Sequence, residues 1–169
     1  GLPDRGYNSN PFYSDFAARI NRFAITLTPD TSNNTASSNS LGINYLGSEK
    51  LKDNQGKDFT GLDPSSSVST TLGANVPLVQ SNQKIAMDAE GIAFLRDGSF
   101  YVSDEYAANI YYFGADRQLL GIINPPPAIT PKINNQLNFT STTDPSVGRR
   151  GNQGLEGTTV TADGKKLIV

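Results

Sequence analysis

The segment Asp88-Ala-Glu-Gly-Ile-Ala-Phe-Leu-Arg-Asp-Gly-Ser-Phe-Tyr-Val-Ser-Asp-Glu105 constrains this chain more than any other. Two runs rich in apolar and β-branched residues flank an Asp97-Gly98 turn signal, which predicts a β-hairpin. Carboxylates stand at the start of the first strand and the end of the second. Antiparallel pairing folds those ends together, so Asp88 and Glu90 are expected beside Asp104 and Glu105. Carboxylates crowded in this way call for a cation.

The phrase returns near the C-terminal end. Glu156-Gly-Thr-Thr-Val-Thr-Ala-Asp-Gly-Lys-Lys-Leu-Ile-Val169 aligns with Glu90-Gly-Ile-Ala-Phe-Leu-Arg-Asp-Gly-Ser-Phe-Tyr-Val102, with one extra residue in the second copy. Between them, Gly91–Leu95, Ser99–Ser103, Asn109–Phe113 and Leu119–Ile123 read as four strands of an antiparallel meander. Such a unit is the size of one β-propeller blade. The predicted fold is all-β, a propeller of four-stranded antiparallel blades. At roughly 40–50 residues per blade, 169 residues give about three blades where closed rings use about 4–8. The chain is therefore expected to form part of a propeller, residues 1–169, with the remainder on another chain, cleaved away as a second fragment, or in further sequence of the same protein. Abundant Ser, Thr, Asn, Gly and Pro fit this turn-rich reading.

Elsewhere the signals are weaker. Phe12–Ile20 predicts one or two helical turns with Asp15 and Arg19 four apart, and residues 22–28 alternate like a half-buried strand. Residues 30–84 read as a long irregular insertion with short strands near Leu41–Leu46 and Leu72–Val79. Residues 124–150 read as a connection opened by three consecutive prolines, 125–127, which exclude ladder pairing.

Composition narrows the chemistry. The net charge of −2 offers no basic surface for nucleic acid. No apolar run approaches the roughly 20 residues of a membrane span. The chain has no His and no Cys, which removes thiolate and Ser-His nucleophile systems and the usual zinc ligands. Oxygen ligands without imidazole favour calcium. Asp88, Glu90, Asp104, Glu105 and Glu156 are the candidate metal ligands. Glu105, Asp4 and Arg5 are candidate catalytic groups, with Glu105 as the carboxylate that deprotonates water. Arg149 and Arg150 could place guanidinium forks on phosphate oxygens, and Asn152 in the following Gly-rich loop is grouped with them. Plainer roles compete: Glu90 and Glu156 as acceptors of backbone N–H groups, Asp4–Arg5 as a local ion pair, and Arg149 and Arg150 as solvated charges. Asn33 and Asn138 head glycosylation triplets, which lean toward secretion.

Taken together, Asp4-Arg5-Gly6, Asp88-Ala-Glu-Gly-Ile-Ala93, Asp97-Gly-Ser-Phe-Tyr-Val-Ser-Asp-Glu105, Asn109-Ile-Tyr111 and Gly151-Asn-Gln-Gly-Leu-Glu-Gly157 with Asp163-Gly164 resemble the phytase-like family, described by its esterase-like activity of phytase. The resemblance implies a propeller with an acidic cluster, hydrolysis of a phosphate or carboxylic ester, and calcium dependence by analogy with alkaline propeller phytases. Two other functions remain open: a non-catalytic propeller that binds a ligand or protein around structural calcium, and a gluconolactonase-like lactone hydrolase using Glu90, Asp104 and Asn109.

Overall fold

A computed structural model describes residues 1–6, 14–30 and 39–169. The described residues form strands and no helix. Ser14–Ala18 are non-helical, and Arg19 and Ile20 already belong to a strand, so the helical turns expected over Phe12–Ile20 are absent from the described part of that stretch. Phe12, Tyr13 and the glycosylation candidate Asn33 lie outside the described residues. No described helix is long and apolar enough to cross a membrane.

The expected meander is present. Strands β6 (Ala89–Phe94), β7 (Phe100–Asp104), β8 (Ile110–Phe113) and β9 (Leu119–Ile123) form one antiparallel sheet in chain order. The turn between β6 and β7 divides its work between two residues. Gly98 takes the left-handed conformation, φ 86°, while the Asp97 carboxylate accepts the Ser99 N–H at 3.0 Å and its hydroxyl at 2.6 Å. In the second copy, β12 (Thr159–Val160) pairs with β13 (Leu167–Ile168). There Gly164 is left-handed at 71°, and Asp163 accepts the Lys165 N–H at 3.1 Å. The repeated dipeptide builds the same turn chemistry twice.

The earlier part of the chain carries more strand than its composition announces. β1 (Arg19–Thr28) and β2 (Ser40–Lys50) make a long hairpin, interrupted by a register shift between Arg22 and Phe23. β3 (Ser66–Ser69), β4 (Asn75–Val79) and β5 (Lys84–Ile85) make a three-stranded antiparallel sheet. Beyond the prolines, β10 (Lys132–Ile133) and β11 (Gln136–Leu137) are joined by Asn134-Asn135, both at positive φ. That is the mirror-image turn that suits the twist of a hairpin.

Period-two alternation decides the core. Phe100 pairs with Phe113 and Val102 with Tyr111, and all four are fully buried. Phe100 and Phe113 stack with ring centroids 5.2 Å apart, and Phe59 packs edge-on to Phe113 at 5.9 Å. Leu51, Val76 and Met87 complete this cluster, joining the first half of the chain to the meander. Tyr101 and Tyr112 lie half-buried on the opposite face.

Replacing Phe113 with Ala should destabilise the fold by about 3–5 kcal/mol in a denaturant titration, the cost of emptying an aromatic core site. Tyr101→Ala should cost clearly less. Equal losses at the two positions would refute this assignment of faces.

Candidate functional site

The site is built where β6 begins and β7 ends. Ala89 lies opposite Asp104 and Gly91 opposite Ser103, so Glu90 is the extra residue of a β-bulge. A bulge releases a side chain from strict alternation and re-aims it. The backbone N–H of Asp88 donates to Asp104 Oδ1 at 3.0 Å, and that of Ala107 donates to Oδ2 at 2.9 Å. The Glu105 N–H donates to the Asp88 carbonyl at 2.9 Å. Asp104 thus ties the strand ends together, with each oxygen accepting a backbone N–H. Burial pushes its carboxyl up to about 7 against those hydrogen bonds.

Arg5 enters from the N-terminal segment. Its Nε lies 2.5 Å from Asp88 Oδ2, and both side chains are 2% exposed. Its guanidinium sits 4.7 Å from the centre of the Tyr106 ring, and its Nη1 donates to the Gly61 carbonyl at 3.5 Å. The Tyr106 hydroxyl donates to the same carbonyl at 3.2 Å. Position 61 must be glycine for this approach, because a Cβ there would stand 2.8 Å from Arg5 Cβ.

Around this pair the carboxylates converge. Asp4, Asp88 and Glu90 each offer an oxygen, and these oxygens lie within 4.8 Å of one another. Burial, followed by the negative charge of Asp88, Asp4 and Glu156, pushes Glu90 up to about 7. Glu105 rises to about 8 through burial, its hydrogen bond to Asp88, and the charges of Asp88, Glu156 and Glu90. Burial also raises Asp88, outweighing the opposing pull of Arg5. Asp88 Oδ1 and Glu105 Oε1 are buried and receive no N–H or neutral O–H donor.

The second copy closes over this edge. A Cβ on Gly154 would lie 2.2 Å from the Glu105 carbonyl oxygen, and one on Gly91 would lie 2.6 Å from the Thr158 nitrogen. The exposed Glu156 reaches the cluster through its charge.

Of the acids expected from the sequence, Asp4, Asp88 and Glu90 bring their oxygens together and Glu105 is hydrogen-bonded to Asp88. Glu156 acts on them through its charge, and the expected ligand Asp104 is instead turned to backbone N–H groups. The arginines are differently placed. Arg149 is buried and donates to the carbonyls of Tyr106 at 2.9 Å, Arg150 at 3.0 Å, Phe139 at 3.4 Å and Thr140 at 3.5 Å. All three of its guanidinium nitrogens are engaged with backbone. Arg150 and Asn152 are exposed, and Asn152 adopts φ 51°. Asn109 is buried and donates to the Asn75 carbonyl at 3.1 Å. Asn138 is half-buried, with its Oδ1 accepting the Thr140 N–H.

Tyr106 and Gly61 went unmarked in the sequence, and Gly154 entered only as part of the Gly151–Gly157 motif, with no role given to it. Tyr106 follows the acidic pair and Gly154 lies in a Gly-rich loop, but Gly61 carries no local signal at all. A cavity of about 370 Å³ lies elsewhere, between Asp63–Ser66 and Leu137–Thr140, and none of the clustered acids lines it.

The whole chain, residues 1–169, matches the model of a family named phytase-like and described as esterase-like activity of phytase. A curated relative from Arthroderma benhamiae, an "Uncharacterized secreted protein", is 32% identical over 196 aligned residues. That alignment takes in 99% of this chain and 38% of the relative, so the chain spans well under half the relative's length. No solved structure matches.

A carboxyl raised on folding retains its proton where the unfolded chain has already lost it, so stability falls as pH rises between the two values. With Glu90 and Asp104 raised to about 7 and Glu105 to about 8, the cation-free protein should melt at lower temperature as pH climbs from about 5 to about 8. A melting temperature that rises across this range would contradict the described cluster. Gly154→Ala should displace the 151–157 loop from Glu105 and reduce stability by about 1–3 kcal/mol. A crystal structure of the variant with the loop unmoved would remove the basis for that expectation.

Proposed function

The chain belongs to the phytase-like family, and from that premise we propose a secreted β-propeller hydrolase in which calcium assists hydrolysis of a phosphate or carboxylic ester. The observation that carries this reading is the gathering of Asp4, Asp88 and Glu90 oxygens within 4.8 Å beside the raised carboxyl of Glu105. The cluster fits a hard divalent cation. Its donors are all oxygen, and the buried Asp88 Oδ1 lacks an N–H or neutral O–H donor. Asp4, Asp88 and Glu90 would hold the ion, with Glu156 adding negative charge nearby. When bound, calcium supplies neutralisation of the acids and polarisation of a phosphoryl or carbonyl oxygen.

The chain's own residues do the rest. Glu105 exchanges the proton, as acceptor from attacking water when ionised and as donor to the leaving oxygen when protonated. Arg5 acts through Asp88 as a positioning residue, since its guanidinium is buried against that carboxylate and the Gly61 carbonyl. Asp104 holds the frame through its two backbone hydrogen bonds. Arg150 and Asn152 are exposed and are the remaining candidates for substrate contact.

The four-stranded meander and the repeated Asp-Gly hairpin support a propeller. In this reading the present residues form part of the ring, and other sequence of the same protein completes it. The secreted relative supports an extracellular location, where millimolar calcium and N-glycans on Asn33 and Asn138 are consistent with the chemistry. A second reading keeps the propeller and the ion but makes the ion structural. It is favoured by one observation: the cavities beside Asp63, Asn75 and Asp53 are lined by residues other than Glu90, Glu105 and Glu156.

Hydrolysis of a chromogenic phosphate ester and a chromogenic carboxylic ester, with calcium and with chelator, separates the two. Chelation should abolish turnover of one of them. Glu105→Gln should lower kcat by about 100-fold or more while the circular dichroism spectrum stays unchanged. Full activity in chelator would refute calcium-assisted hydrolysis. A calcium-dependent melting temperature without any turnover would select the structural ion.

A further inference from the structure

The β1–β2 hairpin has a feature that the acidic site does not use. Cross-strand pairs Phe23–Tyr45, Ile25–Ile43 and Leu27–Leu41 follow one another at every second rung, which places all six side chains on one face. Each is 43–68% exposed. The other face carries Ala24, Thr26 and Thr28 against Asn44, Gly42 and Ser40. No charged residue occurs from Phe23 to Thr28 or from Asn39 to Gly47.

Among the described residues, the hairpin is a sheet of two strands and joins no other. Gly1 exchanges backbone hydrogen bonds with Asn21 at the base of β1, at 2.8 Å and 2.7 Å. Past that point no described strand pairs with either outer edge. Isolated two-stranded hairpins are marginal in water, and uncharged edges lack the usual protection against association.

We propose that this strip is a self-association surface, and that two copies of the chain bury their Phe23–Leu27 and Leu41–Tyr45 faces against each other. The area suffices. Six side chains at these exposures present on the order of 600 Å² per copy, more than monomers commonly leave contiguous. Two such strips in contact remove about 1,200 Å², within the range of specific interfaces. The strip is suited to a copy of itself because it is apolar throughout and brings no charge to be desolvated or repelled. Packing the two hairpins face to face makes a two-layer sandwich of four strands, each strip covering the other.

Analytical ultracentrifugation of the full chain at micromolar concentration tests this. The wild type should sediment as a dimer. Ile25→Lys combined with Ile43→Glu, an opposite-charge cross-strand pair that leaves the hairpin intact, should weaken association by about 100-fold or more. Thr26→Lys on the opposite face should leave the dimer unchanged. A wild-type monomer at these concentrations would overturn the proposal, as would a dimer insensitive to the Ile25/Ile43 variant. Retention on phosphatidylcholine vesicles by a monomeric protein, lost in the same variant, would assign the strip to a lipid surface and also overturn it. Hydrogen exchange of the 23–28 and 41–46 amides in the wild type guards against a variant that fails to fold. Protection should rise with protein concentration, and exchange independent of concentration would reject the dimer.

Discussion

The buried ion pair between Arg5 and Asp88 is the contact on which the site depends. Removing two charges from water is expensive, and attraction between them compensates only when geometry is close and the remaining polar atoms find partners. Here the 2.5 Å contact is supplemented by the Tyr106 ring beneath the guanidinium and by the Gly61 carbonyl beside it. Three separate stretches of sequence, around positions 5, 61 and 106, converge to make one carboxylate tolerable in the interior. The charge of that carboxylate in turn helps to raise Glu90 and Glu105.

A second layer of order comes from Asp104, which spends its oxygens on the N–H groups of Asp88 and Ala107. The arrangement separates two tasks that both fall to acidic side chains. Asp104 holds backbone together, while Asp4, Asp88 and Glu90 bring their oxygens within 4.8 Å of one another. Repulsion among them is a standing destabilisation that protons relieve at low pH and a cation can relieve at higher pH.

Much of this is legible in the sequence itself. Alternation around Asp97-Gly98 predicted β6 and β7 to within a residue or two, and antiparallel pairing then brought Asp88 and Glu90 to Asp104 and Glu105. The repeat predicted the β12–β13 turn for the same reason: Asp and Gly impose local backbone geometry regardless of context. The helical expectation near Phe12–Ile20 failed in its described part because strand pairing with Glu49 and Lys50 overrides an i,i+4 charge pair. The roles of Arg5 and Arg149 depended on burial, which no local pattern encodes. A guanidinium suited to phosphate is equally suited to a carboxylate or to a set of carbonyls, and only tertiary packing selects among them. Gly61 illustrates the limit well, since a Cβ there would meet Arg5 Cβ at 2.8 Å and the Ser14 carbonyl oxygen at 2.9 Å, both distant in sequence.

The bulge at Glu90 carries a consequence for how such a site can change. Strand side chains obey a parity rule, and one supernumerary residue switches odd to even for everything upstream of it. Asp88 and the strand from Gly91 onward can therefore satisfy different masters, the first answering to the acids and the second to the aromatic interior. Deleting Glu90 would leave Ala89 opposite Asp104 and Gly91 opposite Ser103 as consecutive rungs of an unbroken ladder, and would remove only the carboxylate that the bulge presents. Chemistry and scaffold are thus separable by one codon.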